Sequence, residues 1–186
     1  MTENIATATH LIRAEHDRVL GAVDGAAWDR AAARLRSAPR VFTLGGGRSG
    51  LALQMAAMRF MHLGLTVHVV GETTTPAITE GDVLLAASGS GTTGRVVAAA
   101  ETARKQGARV IAVTTAAESP LTRLADEVLI VPAADKQDFD GTASQQYAGS
   151  LFEQSVLLLC DGLFHLMWTA DGTSAEDLWR NHANLD

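Results

Sequence analysis

The sequence predicts an α/β fold: a doubly wound, five-stranded parallel sheet with N-terminal helices and C-terminal helices. Short apolar runs such as Val83 to Ala87 alternate with longer segments whose apolar residues have helical spacing. That alternation is typical of parallel sheets covered on both faces. Two of the predicted strands run directly into turns rich in glycine and serine. Ligands of such sheets bind beyond the carboxyl ends of the strands, so these turns are the first places to look for a site.

The elements follow in a regular order. Two helices, at 5–23 and 26–37, precede the first strand, and Pro39 ends the second of them. Strands are predicted at 40–44, 67–70, 82–87, 109–113 and 128–131, and helices at 51–63, 92–106 and 119–125. A polar loop at 132–149 leads to an apolar helix at 150–168, and Ser174 caps a last short helix.

Length and charge limit what the chain can be. Its 186 residues predict one domain, 1–186, made of an N-terminal helical extension (1–38), a sheet core (39–132) and C-terminal helices (150–186). The net charge of −6 argues against a nucleic-acid partner. An anionic substrate would therefore need a local cluster of donors.

The cysteine content favours a cytoplasmic protein. A single cysteine excludes an internal disulfide and fits a reducing compartment, and its position in an apolar run predicts a packing role for Cys160. The polar N-terminus has no signal-peptide pattern, no apolar run is long enough to span a bilayer, and common metal-ligand spacings are absent. We therefore expect no membrane association, no metal and no cofactor.

The strongest candidate site is the turn after the third strand. It contains three hydroxyls and two glycines in its first five residues and reads Ser88, Gly89, Ser90, Gly91, Thr92 and Thr93. Glycines allow a sharp turn and close approach of a ligand, and the first amides of the following helix have no intrahelical partner. Together with uncharged hydroxyls they predict a phosphate cradle. The plain alternative is a helix cap without any ligand.

A second glycine-rich turn follows the first strand. Gly45, Gly47 and Gly50 match the spacing of a dinucleotide fingerprint, and Glu72 stands near the end of the next strand. However, Arg48 and Ser49 within the turn suit a single phosphoryl or sugar group better. Dinucleotide binding is therefore the weaker interpretation.

Glu153 is a candidate general base. On a helical wheel it shares its face with apolar residues, Leu157 and Cys160 among them, whereas Gln154 falls on a polar stripe. Desolvation disfavours the ionised form of a carboxylate, which is what a base working near neutral pH requires. The alternative is a structural Glu in the first turn, favoured by the helix dipole.

Several longer motifs resemble the SIS (sugar isomerase) domain family and, within it, the 6-phospho-3-hexuloisomerase family. They are the runs at 47–50, 58–64, 71–78, 88–91, 152–153 and 182–185. The resemblance implies a sheet with flavodoxin-like strand order. It further implies isomerisation of D-arabino-3-hexulose 6-phosphate to D-fructose 6-phosphate in the ribulose monophosphate pathway, without a metal, by a homotetramer.

The resemblance also assigns roles to residues. It implies that Arg48, Ser49 and the 88–93 turn bind substrate, that Glu153 transfers protons, and that His182 takes part. The family usually has Glu where this chain has Thr92, so a role for that acid does not carry over. Two alternatives remain at this point. One is another SIS isomerase, acting on a pentose or heptose phosphate. The other is a non-catalytic sugar-phosphate sensor, although residues before the first strand are too few and not basic enough for a DNA-binding module.

Overall fold

A computed structural model of the chain describes residues 4–134 and 143–185. The described helices are α1 (Ile5–Leu20), α2 (Gly25–Ser37), α3 (Gly47–His62), α4 (Gly94–Lys105), α5 (Pro120–Leu124), α6 (Ser150–Asp171) and α7 (Ala175–Trp179). The strands are β1 (Val41–Gly45), β2 (Val67–Val69), β3 (Val83–Ala87), β4 (Arg109–Thr114) and β5 (Glu127–Ile130). Part of the polar loop predicted at 132–149 lies outside the described residues.

The five strands form one parallel sheet in the order β2-β1-β3-β4-β5, which confirms the predicted fold class. The strand order reverses between β1 and β3, and Gly45 at the end of β1 is in register with Ala87 at the end of β3. Both candidate turns therefore leave the sheet side by side at the switch point, where ligands of such sheets bind.

Helices cover the two faces of the sheet unequally. Alternate strand residues such as Leu85 and Val113 pack in one core with α1, α2, α3 and α6, while Leu84 and Ala112 pack in a second core with α4 and α5. On the thicker face, α3 and α6 make the most extensive contact between any two elements. That contact brings the amino-terminal turn of α6 beside the amino-terminal turn of α3.

The element bounds differ from the predictions in a few informative places. Helix α3 begins at Gly47, inside the glycine-rich turn, and not at Leu51. Helix α1 ends at Leu20, before Gly21, and α6 continues to Asp171, where Gly172 adopts the left-handed conformation (φ 65°) that commonly terminates helices.

Candidate functional site

Hydrogen bonds between its own hydroxyls hold the turn after β3 together. Ser88 Oγ lies 2.9 Å from Thr93 Oγ1, and Ser90 Oγ lies 2.8 Å from Thr92 Oγ1. Ser88 is buried, whereas Thr92 and Thr93 are exposed. The hydroxyls of the turn thus run from the buried end of β3 to the solvent-exposed start of α4.

Backbone donors complement these hydroxyls. Within the part of the chain that the structure describes, the amides of Ser90, Thr93 and Gly94 donate to no protein acceptor. The amide of Gly91 is used, because it donates to the Ser88 carbonyl. Three available amides at a helix N-terminus, next to uncharged hydroxyls, can bind a phosphate dianion.

The two glycines of the turn allow tight packing behind it. Gly91 has φ 63°, and a Cβ there would lie 2.1 Å from Ser119 Oγ. A Cβ on Gly89 would lie 3.4 Å from the ring of Phe152. The Gly89 carbonyl accepts hydrogen bonds from the backbone amide and hydroxyl of Thr115 and from the Thr114 hydroxyl. The turn is therefore held from beneath by the end of β4 and by the first turn of α6.

The turn after β1 is equally tight. A Cβ on Gly45 would lie 2.7 Å from the Gly50 nitrogen, and a Cβ on Gly50 would lie 2.7 Å from the Gly45 carbonyl oxygen. These two glycines are thus required for the strand to enter α3 directly. Because this close packing accounts for both of them, the glycine spacing gives no separate support for a dinucleotide. A Cβ on Gly46 would lie 3.6 Å from Thr93, so the two turns are neighbours.

Arg48 and Glu153 meet beside these turns. Arg48 Nε lies 3.3 Å from Glu153 Oε2, and Arg48 donates to Ser150 Oγ at 3.1 Å. The Glu153 side chain is 11% exposed and the Arg48 side chain 57% exposed. The carboxylate is thus mostly removed from water, and its guanidinium partner is more than half exposed.

The structure therefore brings most of the predicted site residues together. Arg48 and the buried Ser49 lie in the first turn of α3. Glu153 lies in the first turn of α6 and directly follows Phe152, whose ring packs against the serine turn. Chemically, the arrangement can hold a phosphate in the 88–93 turn and present one carboxylate and one guanidinium to the carbon chain attached to it.

His182 lies elsewhere in the same chain. Its ring stacks between His62, with 3.9 Å between ring centroids, and Trp179, at 4.3 Å. His62 ends α3, fourteen residues after Arg48, which corresponds to roughly 21 Å along the helix at ~1.5 Å per residue. Within one chain, His182 is therefore not brought together with the serine turn.

A cavity of about 420 Å³ surrounds this histidine pair, and Arg59, His165 and Trp168 are among its lining residues. His62 is buried and its Nδ1 has no hydrogen-bond partner in the described part of the chain. Burial, together with the nearby charges of His182 and Arg59, lowers the pKa of His62 below its ordinary value. His62 is therefore kept neutral more strongly than a free histidine.

Cys160 is buried in the core of the thicker face, where burial raises the pKa of its thiol to about 12. The predicted packing role agrees with this environment. Glu72 lines a polar pocket of about 210 Å³ with Gln54 and Arg95, beside Gly45 and Gly50 of the turn after β1. In residues 4–134 and 143–185, no three His, Cys, Asp or Glu side chains are grouped so that they could hold a metal ion, and no helix there could cross a membrane.

Three residues of the site were not predicted. Ser150 accepts from Arg48, Phe152 contacts the serine turn, and Ser119 fills the space left by Gly91. Ser119 was interpreted only as a helix start, which it also is, since it forms a capping box with Thr122. The proximity of these side chains depends on how α5 and α6 pack, and no local pattern reveals that.

Comparison with known proteins identifies the family of the chain. A model of the SIS domain family matches residues 34–157. The chain is 59% identical over 147 residues to a 3-hexulose-6-phosphate isomerase of Mycobacterium gastri, covering 79% of this chain and 74% of that protein. It is 37% identical to the 3-hexulose-6-phosphate isomerase of Bacillus subtilis, covering 85% and 86%.

A crystal structure of a Methanococcus jannaschii protein has the same fold. It superposes with a TM-score of 0.83 at 25% identity and covers 97% of this chain and 99% of that one. A 3-hexulose-6-phosphate isomerase function was inferred for that protein from its structure.

Proposed function

This chain belongs to the SIS domain family, and from its similarity to two 3-hexulose-6-phosphate isomerases we propose that it is a 3-hexulose-6-phosphate isomerase of the ribulose monophosphate pathway. It would interconvert D-arabino-3-hexulose 6-phosphate and D-fructose 6-phosphate. The single observation that carries the chemistry is the mostly buried Glu153 carboxylate beside a turn of hydroxyls and available amides. Phosphorylated sugars do not cross membranes freely, which supports a cytoplasmic location.

The 88–93 turn would bind the phosphate and so fix the position of the sugar. Its donors are neutral, so they bind the ester without forming a tight ion pair that would slow product release. Binding energy from the phosphate, which does not react, can be used to align the reacting carbons.

Glu153 would then move one proton between two carbons. In the forward direction it removes the proton from C2, the electron pair forms the C2–C3 double bond, and the C3 oxygen takes up a proton to give a cis-enediol. The C2 oxygen next loses its proton, the C2 carbonyl forms, and Glu153 returns a proton to C3. No electrons are gained or lost overall, so the reaction needs no redox cofactor.

Arg48 would stabilise the oxygen that becomes negative. Its guanidinium pairs with Glu153 and its side chain is more than half exposed, so it can move to a substrate oxygen. Uncharged Ser150, which accepts from Arg48 at 3.1 Å, supports the orientation of that side chain. A cation beside the developing enediolate lowers the barrier to proton removal.

His182 would act from a neighbouring subunit of a homotetramer. It lies at the far end of α3 from Arg48 in its own chain, which argues against a role there. A histidine can pass protons to and from the C2 and C3 oxygens, a task that Glu153 alone does not cover.

The Glu153→Gln variant tests the proposal. We expect its kcat with 3-hexulose 6-phosphate to fall by a factor of about 10² to 10⁴, the usual contribution of a general base. The KM should change little, because the phosphate donors remain. The matched control is Glu101→Gln, which removes an exposed carboxylate from the middle of α4. Near-normal turnover by a folded Glu153→Gln protein would refute the assignment.

Substrate choice separates the remaining alternatives. Wild-type protein should exchange solvent deuterium into C3 of bound fructose 6-phosphate, or into C2 of bound 3-hexulose 6-phosphate, whereas a sugar-phosphate sensor without a catalytic base would not. Faster turnover of a pentose or heptose phosphate than of 3-hexulose 6-phosphate would instead indicate a different SIS isomerase.

A further inference from the structure

A buried carboxylate on α1 holds the segment that leads into α6. Glu15 accepts hydrogen bonds from the Ser144 hydroxyl (2.7 Å), the Gln145 backbone amide (2.7 Å) and the Gln146 side-chain amide (2.8 Å). Both Glu15 and Ser144 are more than nine-tenths buried. Burial acts to raise the pKa of Glu15, but these hydrogen bonds and the nearby Arg18 charge lower it below its ordinary value. The carboxylate therefore remains charged while it holds the loop.

The next residue of α1 holds α6 itself. His16 Nε2 lies 2.9 Å from Gln154 Oε1, and His16 Nδ1 lies 3.3 Å from Ser155 Oγ. Ser155 is fully buried. Successive residues of a helix point about 100° apart, so contacts on Gln154 and Ser155 fix the rotation of α6 without covering Glu153.

Backbone strain marks the same segment. Ala148, with φ 50°, is the one non-glycine residue with positive φ in the described part of the chain. It lies between the residues held by Glu15 and Ser150, which begins α6. Such a conformation persists only where the surroundings determine it, and it is common near functional sites.

We propose that Glu15 and His16 are positioning residues for the isomerase reaction: from α1 they fix the loop before α6 and the rotation of its first turn, and thereby the place of the Glu153 carboxylate. They do not touch the substrate. The inference rests on the proposed function, because it assigns Glu153 as the base.

The physical reason is the accuracy that proton transfer demands. Glu153 must reach two neighbouring carbons from one position, and a displacement of about 1 Å can cost as much as 10²-fold in rate. Residues 143–149 have no regular secondary structure that could hold the start of α6. The hydrogen bonds from α1 supply that support.

The test compares Glu15→Gln and His16→Ala with wild type. Glutamine cannot accept all three hydrogen bonds, since its NH₂ group is only a donor. We expect kcat to fall about ten- to hundredfold, whereas KM and the Kd of inorganic phosphate stay within about threefold, because the 88–93 turn is untouched. Hydrogen exchange should become faster in peptides covering 143–155. His16→Gln, whose amide can still reach Gln154, should recover most of the activity.

The control is Asp126→Asn. Asp126 is also a carboxylate that holds a loop, since it accepts from the Val110 amide and pairs with Arg104 and Arg109, but it lies at the amino end of the sheet. The Asp126→Asn substitution should lower the free energy of unfolding and leave kcat unchanged. If Glu15→Gln does not fold, Ser144→Ala replaces it, with an expected three- to tenfold loss of kcat.

The outcomes separate the two proposals. A wild-type chain without isomerase activity would overturn the proposed function and this inference with it. An active wild type whose kcat is unaffected by Glu15→Gln, or by Ser144→Ala in its place, would overturn the positioning role alone. A fall in kcat without a comparable change in KM or phosphate affinity would support it.

Discussion

Gly91 shows how a missing side chain shapes the anion site. The serine turn requires a left-handed backbone at this position, and Ser119 occupies the space where a Cβ would lie. Gly91 also attaches the turn to the start of α5, because its carbonyl accepts a hydrogen bond from the Leu121 amide. One glycine thus serves both the conformation of the turn and its attachment to the next helix.

We predict that Gly91→Ala weakens phosphate binding and destabilises the fold. Left-handed backbone and the clash with Ser119 should together cost about 1–3 kcal/mol of unfolding free energy. Isothermal titration with inorganic phosphate and urea denaturation measure the two effects. Gly25→Ala is the control, since a Cβ there meets nothing within 4 Å, and it should leave both quantities nearly unchanged.

At the level of residues, sequence patterns identified the polar side chains that stand out against their immediate neighbours in the sequence. Serines among glycines and an acid on an apolar helix face are visible locally. Glu15 and His16 were not recognised as important, because a charged residue on an exposed-looking face of α1 carries no local sign that a loop 130 residues later will bury it. Such partners become visible only when the helices are packed.

Among the elements, α3 best illustrates what local patterns miss. Helix propensity placed its start at Leu51, after the last glycine, because glycine disfavours the helical conformation. In the structure Gly47, with φ 54°, is the first helical residue, and the helix follows β1 almost at once. The remaining helices and strands lie within about three residues of their predicted bounds, since hydrophobic periodicity reports burial directly.

The carboxyl end of α3 carries a pH-sensitive residue. We predict that the unfolding free energy falls as the pH drops below about 6.5, the ordinary pKa of histidine. With its folded pKa lowered, His62 binds fewer protons in the native state than in the unfolded state in this range, so acid favours unfolding. The slope from this one group is at most about 1.4 kcal/mol per pH unit.

Urea denaturation between pH 8 and pH 5, at one protein concentration, measures this slope. The His62→Gln variant should show a shallower dependence, and an unchanged slope would contradict the prediction. Glu15, Asp82 and Asp126 also have lowered pKa values, but as carboxylates they lose their contribution below about pH 4.5, outside this window.

On the scale of the whole molecule, exposed apolar residues lie between the Arg48 end and the His62 end of α3. Leu51, Met55 and Met58 occupy one side of α3 and are each more than half exposed, and Leu158 and Leu166 of α6 are more than 40% exposed. Exposed apolar residues grouped on one side of a helix favour association. Met55 lies midway between Arg48 and His62 along α3. A two-fold axis there would bring the His182 end of one subunit to the Arg48 end of its partner.

Mixing inactive variants tests this arrangement. Glu153→Gln and His182→Ala should each have little activity alone, and a refolded mixture should recover part of it, because some sites combine the two intact residues. Turnover of 3-hexulose 6-phosphate measures the recovery. Adding Met58→Asp to both chains should prevent it by disrupting association, which sedimentation velocity reports.

The control for that substitution is Ile5→Asp, which places the same charge on an exposed residue of α1. It should leave both association and recovery intact. No recovery from well-associated mixed oligomers would contradict a shared site. The sequence alone did not indicate this geometry, because the distance between His182 and Arg48 is set by the lengths of α3 and α6 and by assembly.

The contact between Arg48 and Glu153 also has an energetic consequence for the proposed reaction. The Arg48 side chain is 57% exposed, so water screens the pair and keeps its strength near that of a surface ion pair, about 1 kcal/mol. The guanidinium gives the mostly buried carboxylate a counter-charge, which offsets part of the cost of removing it from water. A substrate oxygen that develops negative charge can therefore attract the guanidinium at little energetic cost.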